Sequence, residues 1–207
     1  MRIASLVVLC LALAAIPAWA DWDNGPINGT TDGWTINFGY IVSDTFYGDG
    51  NGVTGFQFGV WEFPGDTMTS VQWSITSGEN GGTVYGSGTA SGANLTDKFI
   101  STNQYGYDID QITVTGLNVA TVSETKYWLN LQNAAVPSGD PVYWDENSGK
   151  GCGGAGCPAS ASESAVGTIA SEAFTINGGT STPEPSSILL FGSGILGLAG
   201  LLRRKLF

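Results

Sequence analysis

The sequence predicts an all-β fold, a β-sandwich or jelly roll, for residues 21–177, and three observations predict it. Apolar and polar residues alternate over short runs, as strands with one buried face require. Glycine-rich turns separate those runs. No amphipathic helical segment stands out between the two chain ends. Eight or nine short strands with frequent turns favour packed antiparallel sheets over a parallel sheet with crossover helices.

The strands are read in chain order. "WTINFGYIV" sets Trp34, Ile36, Phe38, Tyr40 and Val42 on one side, against Thr35, Asn37 and Gly39. "GFQFGVWEF" follows, and "SVQWSIT" then aligns Val71, Trp73 and Ile75. "TVYGS", "KFIST" and "YDIDQITVTGL" come next, and the apolar parity of the last shifts between Ile109 and Ile112, which predicts a bulge. "TKYWLNLQN" gathers Tyr127, Leu129 and Leu131, "PVYWD" adds a short strand, and "EAFTIN" pairs Phe174 with Ile176. Turns are expected at "GDGNG", "FPGD", "SGENGG", "SGTASGAN" and "VPSGDP".

Both ends of the 207-residue chain carry address-like sequence rather than fold. Arg2, the apolar run Ile3–Ile16 and the small residues of "AWA" lay out a secretory signal peptide over residues 1–20, cut between Ala20 and Asp21. Residues 178–182 form a flexible tether. From Ser186 to Leu202 run 17 uncharged residues, which as a helix span roughly 26 Å against a hydrocarbon core of about 30 Å. Four glycines weaken this single hydrophobic helix, so it stops in a membrane only marginally. Arg203, Arg204 and Lys205 hold its end on the cytoplasmic side, leaving the body outside the inner membrane. Proline is tolerated in a first helical turn and keeps its predecessor extended, so Pro183, Glu184 and Pro185 form a stiff, accessible strip.

That three-part ending, "TPEPSS", a glycine-containing apolar run and "RRK", resembles the PEP-CTERM sorting signal of Gram-negative bacteria. The resemblance covers residues 183–207 and implies recognition by an exosortase-type membrane peptidase and removal of the tail. It further implies transfer to the cell surface or extracellular matrix, often alongside exopolysaccharide. The body is similar, more loosely, to sandwich domains that accompany this signal, on "VSDTF", "VWEFPGDTMTSVQWSI", "NQYGYDID", "YWLNLQNA" and "PVYWDENSG". That likeness supplies no activity.

Charge narrows the partners. From Asp21 to Glu184 the chain holds 18 acids against three lysines (Lys98, Lys126, Lys150), a net charge of −15. Such a body has no means of neutralising a row of phosphates, which excludes nucleic acid as a partner. Histidine is absent, which removes Ser-His-Asp and Cys-His catalysis. One acid–base arrangement survives, two carboxylates facing a groove, with Glu62 and Glu146 the only pair to nominate. Each reads more simply as a strand-end acid, and a non-enzymatic protein is expected.

Cys152 and Cys157 in "GCGGAGCP" are expected to form a local disulfide in an oxidising compartment. A carbohydrate-binding module is the alternative function. It would use Trp128 on a face shared with Asn130, and Trp144 beside Asp145, as stacking platforms with polar neighbours. The competing reading of both rings is core. No cofactor is expected apart from a structural calcium, for which Asp44, Asp49 and Asn51, or Asp145, Glu146 and Asn147, offer oxygens without an EF-hand pattern.

Overall fold

The computed structural model describes residues 22–147 and 161–179. The expected signal cleavage at Ala20/Asp21, the Cys152–Cys157 pair, the Pro183–Pro185 strip, the apolar helix and the Arg203–Lys205 end lie outside those residues.

The described body is all-β. Its strands are β1 (Trp22–Asp23), β2 (Gly33–Thr35), β3 (Ile41–Tyr47), β4 (Val53–Glu62), β5 (Ser70–Gly78), β6 (Gly81–Ser91) and β7 (Leu95–Thr102). They continue with β8 (Asp108–Val119), β9 (Lys126–Ala135), β10 (Tyr143–Asp145), β11 (Ala161–Glu163), β12 (Gly167–Ile169) and β13 (Phe174–Gly178). All pairings are antiparallel and fall into two sheets. The six-stranded sheet runs β12-β11-β3-β9-β5-β6. The seven-stranded sheet is built around β4, with β8 and then β7 on one edge. The other edge of β4 is shared end to end: β13 pairs with Val53 and Gly55–Phe58, and β10 with Val60 and Trp61. β1 and β2 then extend β13 and β10.

Period-2 alternation builds the core between the sheets. Phe56, Phe58, Val60, Ile112, Val114, Trp144 and Phe174 face inward from one sheet, and Val42, Phe46, Val71, Ile75, Leu129 and Leu131 from the other. Phe56 and Trp73 meet edge-on across the gap at 6.3 Å. The stripes predicted for "SVQWSIT", "TKYWLNLQN" and "EAFTIN" therefore pack as expected.

Three local expectations need correction. "WTINFGYIV" is not one strand. It divides into β2 and β3 in different sheets, with Phe38 and Gly39 at positive φ (55° and 88°) in the crossing. Phe38 and Tyr40 are consequently exposed. "SGTASGAN" continues β6 to Ser91, and only Gly92–Asn94 turns.

The parity shift in β8 is not a bulge in that strand. Register with β4 is unbroken from Asp108 to Thr115, and the extra residue is Ile100 in β7. Ile109 and Ile112 are both buried because both faces of the seven-stranded sheet are covered. The core covers one, and the segment after β1 covers the other. That segment lies so close that a Cβ on Gly29 would come within 2.5 Å of Ile109, and one on Gly59 within 2.6 Å of Ile27.

Candidate functional site

Alternation at one end of β4 and β8 creates two distinct surfaces from neighbouring residues. In β4, Trp61 points outward and Glu62 inward. In β8, Ile109 points outward, while Asp108 and Asp110 point inward. Register places Glu62 opposite Asp108, Val60 opposite Asp110, Phe99 opposite Asp110 and Asp97 opposite Ile112. Four carboxylates from three adjacent strands thus share the inner face as direct or diagonal neighbours. Like charges so placed repel one another.

The loop 63–69 closes this acidic pocket, and two of the acids hold it down. The Met68 amide donates to Asp97 Oδ2 (2.6 Å) and the Gly65 amide to Asp108 Oδ2 (3.3 Å), while Thr102 Oγ1 donates to Asp108 Oδ1 (3.0 Å). At the loop's outer side, Ser138 Oγ donates to Asp66 Oδ2 (2.5 Å). Beneath it, the Glu62 side chain is 0 % exposed and neither carboxylate oxygen has a hydrogen-bond partner. Burial, followed by the charges of Asp97, Asp110, Asp66 and Asp108, raises the Glu62 carboxyl to about 8. Asp110 is raised to about 7 by burial and then by Asp97 and Asp108, and no hydrogen bond to its carboxylate offsets this among the described residues. Lys98 lies on the opposite face of β7 from Asp97 and brings no compensating charge into the pocket.

A second buried acidic region forms where β4 passes its edge from β13 to β10. Asp44 Oδ2 accepts from Asn24 Nδ2 (3.0 Å), Ser171 Oγ (2.9 Å) and the Glu172 amide (2.7 Å), and Asp44 Oδ1 from the Thr45 amide (2.6 Å). Burial still raises Asp44 to about 7, the hydrogen bonds opposing it. Glu172 is fully buried without a partner for either oxygen, and burial raises its carboxyl well above the usual range, the Asp44 charge adding to the effect. Among the described residues, no three His, Cys, Asp or Glu side chains converge where they could hold a metal ion.

The residues expected to form a glycan platform lie elsewhere than on an open face. Trp144 is 0 % exposed because it shares the inner face with Val60, meeting Phe58 and Phe174 edge-on. Its neighbour Asp145 points the other way and accepts from Trp61 Nε1 (2.6 Å) and the amides of Asn28 (2.8 Å) and Gly29 (3.0 Å), which pins the covering segment. Trp128 is 8 % exposed, with the Lys126 ammonium 5.3 Å from its ring centroid. Asn130 is occupied: its Oδ1 accepts from Ser43 Oγ (2.6 Å) and the Asn80 amide (3.1 Å), and its Nδ2 donates to Thr76 Oγ1 (2.8 Å). The β5–β6 turn that carries Asn80 thus folds over this polar patch. Neither tryptophan presents an open ring face in the structure.

The residues nominated for calcium and for acid–base work are also distributed. Asp44 faces the interior, while the Asn51 amide donates to Asp49 within the exposed turn (2.8 Å). Asp145 and Glu146 point to opposite faces. Glu146 Oε1 accepts from Trp34 Nε1 (2.7 Å), and its charged neighbours are Asp32 and Asp145, not the acids around Glu62.

The outward face above the acidic pocket holds an aromatic ledge that the sequence reading missed. Tyr105, 59 % exposed, stacks on Trp61 with ring centres 5.8 Å apart. Tyr107 packs against Trp61, Phe63 and Tyr143 at 5.9, 5.1 and 5.7 Å. Asn103 Oδ1 accepts from the Tyr105 and Tyr107 amides, which fixes the turn that presents Tyr105. Strand parity in "VWEF" and "YGYDID" could have shown the signal, since Trp61 and Phe63 flank Glu62, and Tyr105, Tyr107 and Ile109 take the parity opposite to Asp108 and Asp110.

Fold and site together define an acidic antiparallel two-sheet protein with a closed carboxylate pocket and an exposed aromatic ledge. Residues 181–205 match the family model described as the PEP-CTERM protein-sorting motif. No curated protein matches the chain. Among the described residues, no helix is long and apolar enough to cross a membrane.

Proposed function

We propose that this is an exported, non-enzymatic protein of the cell surface or extracellular matrix. A signal peptide carries it across the inner membrane, and the C-terminal apolar segment pauses it there. An exosortase-type peptidase reads Pro183-Glu184-Pro185 and removes the tail. The sorting-motif match at residues 181–205 carries this reading. The strongly acidic two-sheet body is consistent with life outside the membrane, and the separate surroundings of Glu62 and Glu146 give no support to a paired-carboxylate hydrolase.

Intact-mass analysis of protein recovered from native envelopes, with and without the sorting peptidase, tests the proposal. The expected mature species begins at Asp21 and lacks residues beyond the Pro-Glu-Pro strip only when the peptidase is present. Recovery of the same full C-terminus, Arg203 to Phe207 included, in both strains would overturn it.

A second reading, carbohydrate binding, is favoured by one observation: the exposed Tyr105 ring stacked on Trp61. Such a ring can lie against a pyranose face, and Tyr107 and Tyr143 extend the surface. Titration with a panel of exopolysaccharides should quench tryptophan fluorescence through Trp61, and Tyr105→Ala should weaken binding about tenfold, roughly 1.4 kcal/mol. No quenching by any of them sinks this reading and leaves the delivery proposal intact.

A further inference from the structure

Five aromatic rings meet on the outer surface where β4 ends and β8 begins. Tyr105 stacks on Trp61, and Tyr107 bridges Trp61 to Phe63 and Tyr143. The rings at the two extremes, Tyr105 and Phe63, are 59 % and 37 % exposed. Phe38 and Phe99 are also open to solvent, yet neither makes a ring contact among the described residues. Asn103 Oδ1 accepts from the amides of Tyr105 (2.9 Å) and Tyr107 (3.1 Å), so the turn holds the Tyr105 ring in place before any ligand arrives. A surface arranged in advance loses little freedom on binding. With one face of Tyr105 on Trp61 and the other left to solvent, this run of rings suits an extended chain better than a single small molecule.

Charge narrows what can lie there. Asp108 follows Tyr107 directly, and Asp66 lies three residues beyond Phe63. Asp32 precedes Gly33, where a Cβ would lie 3.0 Å from Tyr143 Cβ and 3.4 Å from Trp61 Cδ2. Asp32 is exposed, and Asp66 and Asp108 are partly so. No cation answers them. Of the two lysines among the described residues, Lys98 sits on β7 opposite Gln111, and Lys126 is on β9 of the other sheet. An acidic polysaccharide would bring its own carboxylates against these acids, with no ion pair to offset the repulsion. A neutral pyranose instead offers an apolar C–H face to a ring, and its hydroxyls can meet those of Tyr105, Tyr107 and Tyr143.

We propose that the ledge takes the ring faces of an uncharged hexopyranose chain and rejects acidic polysaccharides. This rests on the carbohydrate-binding reading above and names its ligand class. Tyr105 stacks on one sugar, Phe63 meets the chain further along, and Asp32, Asp66 and Asp108 exclude anionic chains. Apolar stacking carries the affinity, so binding of the neutral chain is nearly independent of salt, whereas exclusion of the acidic one is strongest when salt is low.

The test titrates protein recovered from cells expressing the full chain, at low and at physiological salt, and follows tryptophan fluorescence. The probes are a soluble glucan, a soluble galactan, polygalacturonate and fully methyl-esterified polygalacturonate. The last two share a backbone and differ in charge, so their ratio isolates electrostatics. At least one of the three neutral probes should quench, with an affinity that changes less than about twofold with salt. The ester should bind about tenfold more tightly than the free acid at low salt, and the gap should narrow as salt is added. Tyr105→Ala should weaken neutral binding about tenfold and Phe63→Ala about threefold, while Tyr105→Phe keeps most of it. Circular dichroism confirms that each variant is folded. Quenching by none of the probes overturns both this inference and the carbohydrate reading. Quenching that survives in folded Tyr105→Ala also overturns both, since the ligand then lies elsewhere. Polygalacturonate binding as tightly as its ester at low salt, through a response that Tyr105→Ala removes, overturns this inference alone.

Discussion

Buried carboxylates behave alike at the scale of single residues, and their shifts have a common sign. Burial is the first cause at Glu62, Asp110 and Asp44, raised to about 8, 7 and 7, and at Glu172, which is also raised. Each therefore holds its proton more tightly when folded than when unfolded. Between the unfolded value, about 4, and the folded one, the native state carries the extra protons, so stability falls as pH rises. In chelator, Tm should be highest near pH 5 and decline steadily to pH 8. Glu62→Gln should flatten that decline and stabilise the protein at pH 8 by about 1 kcal/mol, since the amide cannot ionise among Asp97, Asp108 and Asp110. Thermal unfolding across that range decides it, and a Tm that climbs toward pH 8 would contradict the assignment. None of this was legible residue by residue. Glu62 looks like an ordinary strand-end acid until the register puts Asp108 opposite it and the loop shuts over it.

Elements show where legibility begins and ends. Strands whose apolar stripe faces the core were readable from alternation alone, because one buried face imposes period 2 on "SVQWSIT" and "TKYWLNLQN". Elements buried on both faces were not. β8 buries Ile109 and Ile112 on opposite sides, and β10 buries Trp144 on one side and Asp145 on the other. The cause is long-range: the segment after β1 folds across the outer face, pinned by the two amides that bond Asp145. The same segment explains Gly59. Where β4 exchanges β13 for β10, Ile27 presses so closely that a Cβ would lie 2.6 Å from it. Trp128 and Trp144 were nominated by polar neighbours in sequence, but Trp128 is buried with Lys126 over its ring, the Asn80 turn occupies its neighbour Asn130, and the inner core claims Trp144. The ledge that does stand exposed comes from the ends of β4, the turn before β8 and β10, a meeting that only topology specifies.

The body as a whole must remain folded while carrying a net charge of −15 between Asp21 and Glu184. Two different remedies act at two distances. Surface acids repel through solvent, and added salt screens them: the Debye length falls from about 30 Å at 0.01 M to about 8 Å at 0.15 M. Glu62 itself is enclosed, so salt screens it far less, and burial instead keeps its proton in place. Raising sodium chloride from 10 to 150 mM in chelator should therefore lift Tm by a few degrees, on the order of 1 kcal/mol, and then level off. Glu62→Gln should show the same salt-dependent gain, because the screened repulsion lies among the other acids. Parallel thermal scans of parent and variant separate the two. A flat or falling Tm with salt would mean that the surface charges are already balanced in the fold, and a salt gain confined to the parent would place all of the strain in the pocket.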